Sequence, residues 1–291
     1  MSPEVRAALD VYLIDAGEHP NWFEACAPMP TTPIADESEG AEMIYSSGTT
    51  GRPKGVRFPL SNAPLGTVSA LFETPDQRMH RINAFVRYLS TAPLYHSAPL
   101  RYNLMVTRLG GRAVIMEKFD AEHALQLIER HRITHSQWVP TMFVRLLRLP
   151  RAVRERYDTS SLEFVIHAAA PCPVDIKRQM IDWLGPILFE YYSGTEANGS
   201  TAIDSAEWLA HPGSVGRAIH GELKILDEDD TALPPGETGT VYFANGSAFS
   251  YYKDPGKTRS GQGNRRLVDT GRHGLCRRRR LSVPQGPSSP S

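Results

Sequence analysis

Ile44-Tyr45-Ser46-Ser47-Gly48-Thr49-Thr50-Gly51-Arg52-Pro53-Lys54-Gly55 packs small residues, hydroxyls and a lysine ammonium into a short loop directly after an apolar strand. Glycines at 48, 51 and 55 let backbone N–H groups turn inward in conformations that other residues resist. The hydroxyls of Ser46, Ser47, Thr49 and Thr50 add donors, and Lys54 adds a compact positive charge. Such a loop suits a polyanion. In the P-loop pattern a Gly precedes the Lys and a Ser or Thr follows it to reach Mg²⁺. Here Pro53 precedes Lys54 and Gly55 follows, so that GTPase or kinase chemistry is excluded. Ser/Thr/Gly-rich stretches also serve as flexible linkers, but linkers rarely fix a lone cation beside Pro.

Four further segments carry chemistry. His167-Ala168-Ala169-Ala170-Pro171 follows the apolar run Phe164-Val165-Ile166. It reads equally as a helix N-terminus after a buried strand, since Pro173 and the spacing of Val174, Ile176, Met180 and Leu184 predict a helix. Ile187-Leu188-Phe189-Glu190-Tyr191-Tyr192-Ser193-Gly194-Thr195-Glu196 is a buried strand ending in a polar turn. A tyrosine at such a strand end is ordinarily core or rim packing. Pro93-Leu94-Tyr95-His96-Ser97 ends a short strand, and Trp138-Val139-Pro140-Thr141 places a tryptophan either in a pocket wall or in the core.

Taken in order, these segments resemble the signature motifs of the AMP-forming adenylating enzymes: acyl-CoA synthetases, luciferases and the adenylation domains of peptide synthetases. The resemblance covers roughly residues 42 to 255. It implies that Ser46, Ser47, Gly48, Thr49, Thr50, Gly51 and Lys54 grip the β- and γ-phosphates of ATP. It implies also that the backbone of Ala168, Ala169 and Ala170 lies along adenine, that Tyr192 stacks on the base, and that Thr195 bonds the α-phosphate region. Glu196 would ligate Mg²⁺ through a hard carboxylate oxygen, and His96 would lie between the acyl pocket and the reacting carboxylate. Lys54, Glu196 and His96 are therefore the candidate catalytic residues. Ser193 and Gly194 differ from the commonest form of the Tyr-Gly-x-Thr-Glu motif. Gly213 to Arg217, Gly236 to Phe243 and Tyr251-Tyr252 match later motifs and are assigned structural roles in a smaller β subdomain.

The implied reaction joins a carboxylic acid to ATP as acyl-AMP and then to coenzyme A as a thioester. Adenylation domains for amino acids place an Asp near the His96 segment to bind the ammonium. Residues 83–117 contain none, which points to a fatty, aromatic or sterol-derived acid. The alternatives are an adenylating enzyme of another substrate class, an inactive nucleotide-binding remnant, or a protein that interacts through its basic tail.

The 291 residues, 41% hydrophobic, suffice for a sizeable core and more than one subdomain. A formal net charge of +0 implies neither nucleic acid nor an anionic membrane as partner. Cys26, Cys172 and Cys276 are far apart and odd in number, against a disulfide framework or zinc site and in favour of a reducing cytoplasm. No apolar run reaches membrane-spanning length, and residues 1–20 carry Glu4, Asp10 and Asp15 where a secretion signal would be basic and then apolar.

Strand and helix alternate: Ala113 to Met116 leads to a helix capped by Asp120, and Ile133 to Val139 leads to one carrying Met142, Leu146 and Leu149. Repeated βα units predict an α/β fold, parallel sheets flanked by helices, with ligands at the strand C-terminal ends. The expected organisation is a lead-in over 1–40, a nucleotide- and acyl-binding core over 41–210, a β-subdomain fragment over 211–257 and a tail over 258–291. By the resemblance this is a piece of the large N-terminal domain of such ligases, short at both ends.

After Pro255 the family motifs stop. The run Arg277 to Arg280 resembles a basic tail, yet CGA-CGA-CGA-CGG read one base later gives Asp-Asp-Asp-Gly. Likewise, residues 267–273 have codings whose shifted frame gives Trp-Ser-Thr-Leu-Gly-Asp-Met, with the ribose-binding Asp the family requires. A frame change between roughly Pro255 and Asn264 is the expectation, with the tail disordered and without selected function.

Overall fold

The computed structural model describes residues 20–46, 53–67, 81–262, 268–277 and 280–282. They fall in two compact units, 1–39 with 62–67 and 40–61 with 68–291. In the first, helix α1 (Trp22–Cys26) starts at Asn21, whose side-chain oxygen accepts the N–H groups of Phe23 and Glu24. The buried Glu39 carboxylate accepts the Gly66 N–H at 2.9 Å within the same unit.

The second unit opens with an antiparallel pair, β1 (Met43–Ser46) and β2 (Lys54–Arg57), in which Ser46 stands opposite Lys54. Then come β3 (Arg87–Ser90), α2 (Ser97–Arg108), β4 (Arg112–Ile115), α3 (Ala121–His131), β5 (His135–Trp138), α4 (Pro140–Leu147), α5 (Arg151–Arg154), β6 (Phe164–His167), α6 (Val174–Leu184) and β7 (Leu188–Ser193). The order β4-β3-β5-β6-β7 is parallel throughout. Apart from the edge strand β4, whose Arg112 and Ile115 are exposed, these strands are largely buried on both faces, so their residues alternate between two layers rather than between core and water. Leu89, Val165 and Leu188 point to the layer formed with α3, α4 and α6. Tyr88, Phe164, Ile166 and Phe189 point to the layer formed with α2.

Local signals set the helix ends. The Asp120 side chain caps α3 by accepting the His123 N–H at 2.8 Å, and Arg132 closes it in the left-handed region at φ 49°. Pro140 occupies the first position of α4, where its missing N–H costs nothing. The helix ends at Leu147, two residues short of the expected Leu149.

Beyond β7 the pairing turns antiparallel through β8 (Ser200–Asp204), and past α7 (Ser205–Ala210) through β9 (Ser214–His220). The hairpin of β10 (Glu222–Leu226) and β11 (Thr238–Ala244) follows. The two-residue β12 (Ser250–Tyr251) does not join these strands; it pairs with β2. Within the stretch expected to be a disordered tail lie the end of α8 (Pro255–Gln262) and the strands β13 (Val268–Arg277) and β14 (Arg280–Ser282). The last two fill the ladder between β11 and β9, completing an eleven-stranded order among the described residues. The fold is α/β, a parallel sheet flanked by helices with an antiparallel extension, as the sequence predicts.

Candidate functional site

Tyr251 brings together groups that lie far apart in the chain. The Lys54 ammonium nitrogen sits 5.2 Å from the centroid of its ring. On the other side its hydroxyl donates to Glu196 Oε1 at 2.9 Å. The cation assigned to the phosphates and the carboxylate assigned to the metal thus flank one phenol. The placement follows from the strands. Lys54 opens β2, β12 pairs with β2 so that Tyr251 stands opposite Val56, and the Tyr252 N–H donates to the Gly55 carbonyl at 2.7 Å. Val56, Phe58 and Phe249 form a small apolar cluster against which Ala197 and Tyr251 pack, seating the turn after β7 on the same hairpin.

The turn itself is held from α2. Arg101 bonds Glu42 Oε1 at 2.7 Å and reaches the Thr195 carbonyl at 3.4 Å, with its guanidinium 5.0 Å from the Phe58 ring centroid. Glu196 is half-buried. A Cβ added at Gly194 would stand 3.1 Å from Glu196 Oε2, so glycine there leaves that oxygen uncovered. One carboxylate oxygen is engaged by Tyr251, and the other is free of that bond. No group of three or more His, Cys, Asp or Glu residues able to hold a metal exists among the described residues. Mg²⁺ commonly binds through one or two carboxylates, with substrate phosphates and water supplying its other oxygens. Glu196 fits that requirement.

The expected adenine surface is a small cleft. Ala169, Ala170, Pro171, Glu190, Tyr191, Tyr192 and Val215 line it, while Ala168 is buried beneath. Ala169 takes φ 74°, a left-handed conformation that alanine adopts only under constraint. Tyr192 is largely buried beside Phe243, their ring centroids 6.5 Å apart, so packing and a base platform are both within its reach.

Behind the cleft lies a buried polar cluster that sequence reasoning did not single out. Lys177 on α6 donates to Glu190 Oε2 on β7 at 2.5 Å, and the His167 Nε2 stands 3.7 Å from the same oxygen. The Lys177 ammonium also lies 4.9 Å from the Trp208 ring centroid. Burial and the neighbouring Lys177 charge hold the imidazole of His167 well below its usual pKa, keeping it neutral. Burial lowers the pKa of Lys177 and raises that of Glu190, each opposed by the other's charge. The sequence signal was a lysine on the face of α6 that also carries Met180 and Ile181.

The remaining expectations divide. Ser47, Gly48, Thr49, Thr50 and Gly51 lie outside the described residues; Ser46 ends β1 beside Lys54. His96 is exposed at the N-terminal cap of α2, its ring 4.5 Å from that of Tyr95. Trp138 is core: it is 3% exposed and packs against Phe119 and Phe143. Tyr251, expected to be structural, and Arg101 are the contributors to this site that sequence reasoning passed over. A paired tyrosine just before Lys-Asp-Pro was the available signal for the first, and nothing marked the second. No helix among the described residues is long and apolar enough to cross a membrane.

Residues 3–253 match the family described as "AMP-binding enzyme", a match that begins well ahead of residue 42. The chain is 30% identical over 213 residues to a feruloyl-CoA synthase of Amycolatopsis sp, covering 72% of this chain and 42% of that protein. It is 32% identical over 204 residues to acyl-CoA synthetase 7 of Caenorhabditis elegans, covering 68% and 37%. Among solved structures, ATP-bound MatB from Rhodopseudomonas palustris superposes with a TM-score of 0.69 at 28% identity, over 83% of this chain and 47% of that one. The chain therefore spans less than half the length of these relatives. With the family matched over most of its residues and a fold shared with solved members, the chain belongs to the AMP-binding enzymes, the AMP-forming adenylating superfamily.

Proposed function

We propose that this chain carries the nucleotide-binding part of an ATP-dependent, AMP-forming acid–CoA ligase. The carboxylate of the acid attacks the α-phosphorus of ATP, forming acyl-AMP and releasing pyrophosphate; the thiolate of coenzyme A then attacks the acyl carbon, forming the thioester and releasing AMP. The observation that carries this reading is the convergence of Lys54 and Glu196 on Tyr251, one turn beyond the Ala169–Tyr192 cleft. Lys54 and the hydroxyls of residues 46–50 bind the outer phosphates, and Ala169, Ala170 and Tyr192 accept the base. Glu196 would hold Mg²⁺, which would supply positive charge against that developing on the pyrophosphate. Thr195 orients the α-phosphate and His96 borders the acid. Two of the relatives are named for coenzyme A thioester formation, one of them with an aromatic acid, which supports a fatty, aromatic or sterol-derived acid here. Thiols rather than a disulfide at Cys26 and Cys172 fit a reducing cytoplasm. The tail beyond a point between roughly Pro255 and Asn264 we read as translated out of frame, and the gene's nucleotides test this: an alternate frame must encode Gly-Asp and then an acidic turn.

Calorimetric titration of the purified chain with AMP and with Mg²⁺-ATP tests the binding step. Saturable binding of both is expected, weakened for Mg²⁺-ATP by Glu196→Ala; no binding of either refutes the reading. Acid-dependent ATP–pyrophosphate exchange then separates a working adenylating enzyme from a nucleotide-binding remnant.

A further inference from the structure

Tyr251 is clamped more firmly than an apolar cluster alone requires. Its N–H donates to Thr258 Oγ1 at 2.9 Å, its backbone pairs with Val56, and its ring meets Phe249 edge-on at 5.3 Å between centroids. The ring is thus held in place with its hydroxyl donating to Glu196 Oε1. A glutamate has three side-chain torsions to freeze before it can serve as a metal ligand, and an anchored oxygen removes much of that cost in advance.

Resting on the nucleotide reading above, we propose that Tyr251 is a positioning residue for the metal-bound nucleotide. Its hydroxyl fixes Glu196 through Oε1 and leaves Oε2, beside the side-chain-free Gly194, as the oxygen available to a divalent cation, while its ring face seats the Lys54 ammonium. The two halves of the phenol then serve separable purposes. The hydroxyl acts on the metal through Glu196, and the ring acts on the phosphates through Lys54. A purely structural tyrosine makes no such distinction.

The test is calorimetric titration of the unsubstituted chain, Tyr251→Phe and Tyr251→Leu with AMP, with ATP in EDTA and with Mg²⁺-ATP, circular dichroism confirming the fold of each. Tyr251→Phe is expected to weaken Mg²⁺-ATP about tenfold, as loss of a hydrogen bond to a charged group does, and to change metal-free ATP and AMP less than about twofold. Tyr251→Leu is expected to weaken metal-free ATP as well. In a Glu196→Gln background, Tyr251→Phe is expected to have no further effect on Mg²⁺-ATP. Unchanged or tighter Mg²⁺-ATP binding by Tyr251→Phe overturns the proposal, as does an equal loss for AMP and Mg²⁺-ATP, which marks general loosening. Should Tyr251→Leu not fold, Tyr251→Phe alone decides. Failure of the unsubstituted chain to bind AMP overturns the nucleotide reading itself, and this proposal with it.

Discussion

Replacing Lys177 by Met leaves the Glu190 carboxylate buried with its ammonium partner gone. Both side chains are almost wholly out of water, at 1% and 6% exposure, and the bond between them is 2.5 Å long. Removing one member of such a pair costs about 3–5 kcal/mol, because the remaining charge must stay unpaired in a low-dielectric interior or take up a proton. With a urea slope near 3 kcal/mol/M, that loss moves the unfolding midpoint down by about 1–1.7 M. The transition is followed by tryptophan fluorescence, to which the buried Trp138 and Trp208 contribute, the latter beside the Lys177 ammonium. The double variant Lys177→Met with Glu190→Leu removes both charges and is expected to recover to within about 1 kcal/mol of the parent, since apolar replacement of a whole buried pair is close to neutral. A single variant that loses less than about 1 kcal/mol, or a double variant no more stable than the single, refutes the view that pairing rather than packing holds this cluster.

His167 predicts an acid limb. Its folded pKa is depressed by burial, so below the unfolded value of about 6.5 the unfolded chain binds a proton that the folded chain refuses. Stability is full above that pH and falls by about 1.4 kcal/mol per unit below it, until the folded pKa is reached. Urea titrations from pH 8 to 5 on the parent and on His167→Met check this, and equal slopes refute it. Cys26 is exposed, whereas Cys172 is buried with its thiol pKa raised to about 12 by burial. A thiol reagent at pH 8, read by peptide mass mapping, should label Cys26 and spare Cys172 until the chain unfolds. Gly216 has φ +89°, and a Cβ there would lie 1.8 Å from the Ala202 carbonyl oxygen. Gly216→Ala must therefore break the β8–β9 ladder at a cost well above about 1 kcal/mol, seen as a lower thermal midpoint or as insoluble protein.

The parallel half of the fold was legible because each βα unit carries its own punctuation. Asp120, Pro140 and Pro173 stand at the starts of the three helices on one face. The strand before Pro173 opens on the apolar run 164–166, as a doubly buried strand does, whereas β5 before Pro140 is equally buried but reads His-Ser-Gln-Trp, so that its flanking Ile133 and Val139 carried the signal. The antiparallel half was less so. Its strands β8 to β11 alternate weakly, and a two-residue strand such as β12 has no periodicity to read. The site divides the same way. Lys54 and Glu196 stand out locally because glycine, hydroxyl and charge cluster around them in the sequence. Arg101 and Tyr251 act through a carbonyl and a carboxylate 94 and 55 residues away, and no local pattern encodes a partner at that distance. Trp138 went to the core for a physical reason as well: Phe119 and Phe143 enclose its ring, and the two layers of the sheet leave that strand no open face.

Why Lys54 and Glu196 meet follows from where the sheet changes sense. Strand β7 is the last of the parallel run and pairs antiparallel with β8, so the chain must reverse at its C-terminal end. That reversal is the Gly194–Ala197 turn, at the end of the sheet where α/β proteins gather ligands. A turn alone does not fix a carboxylate. Here it is met by the β1–β2 hairpin, whose outer edge is extended by β12 and so gains a tyrosine. The hairpin thereby supplies Lys54 directly and, through its added strand, the hydroxyl that bonds Glu196. An insertion between Ala244 and Ser250 that shifts β12 by one residue along β2 would turn Tyr251 to the opposite face, since side chains alternate along a strand. It would leave Lys54 and Glu196 in place but unlinked. Mg²⁺-ATP binding should then fall as in Tyr251→Phe, with AMP binding kept; retention of full Mg²⁺-ATP affinity by such a variant would show that the turn positions Glu196 by itself.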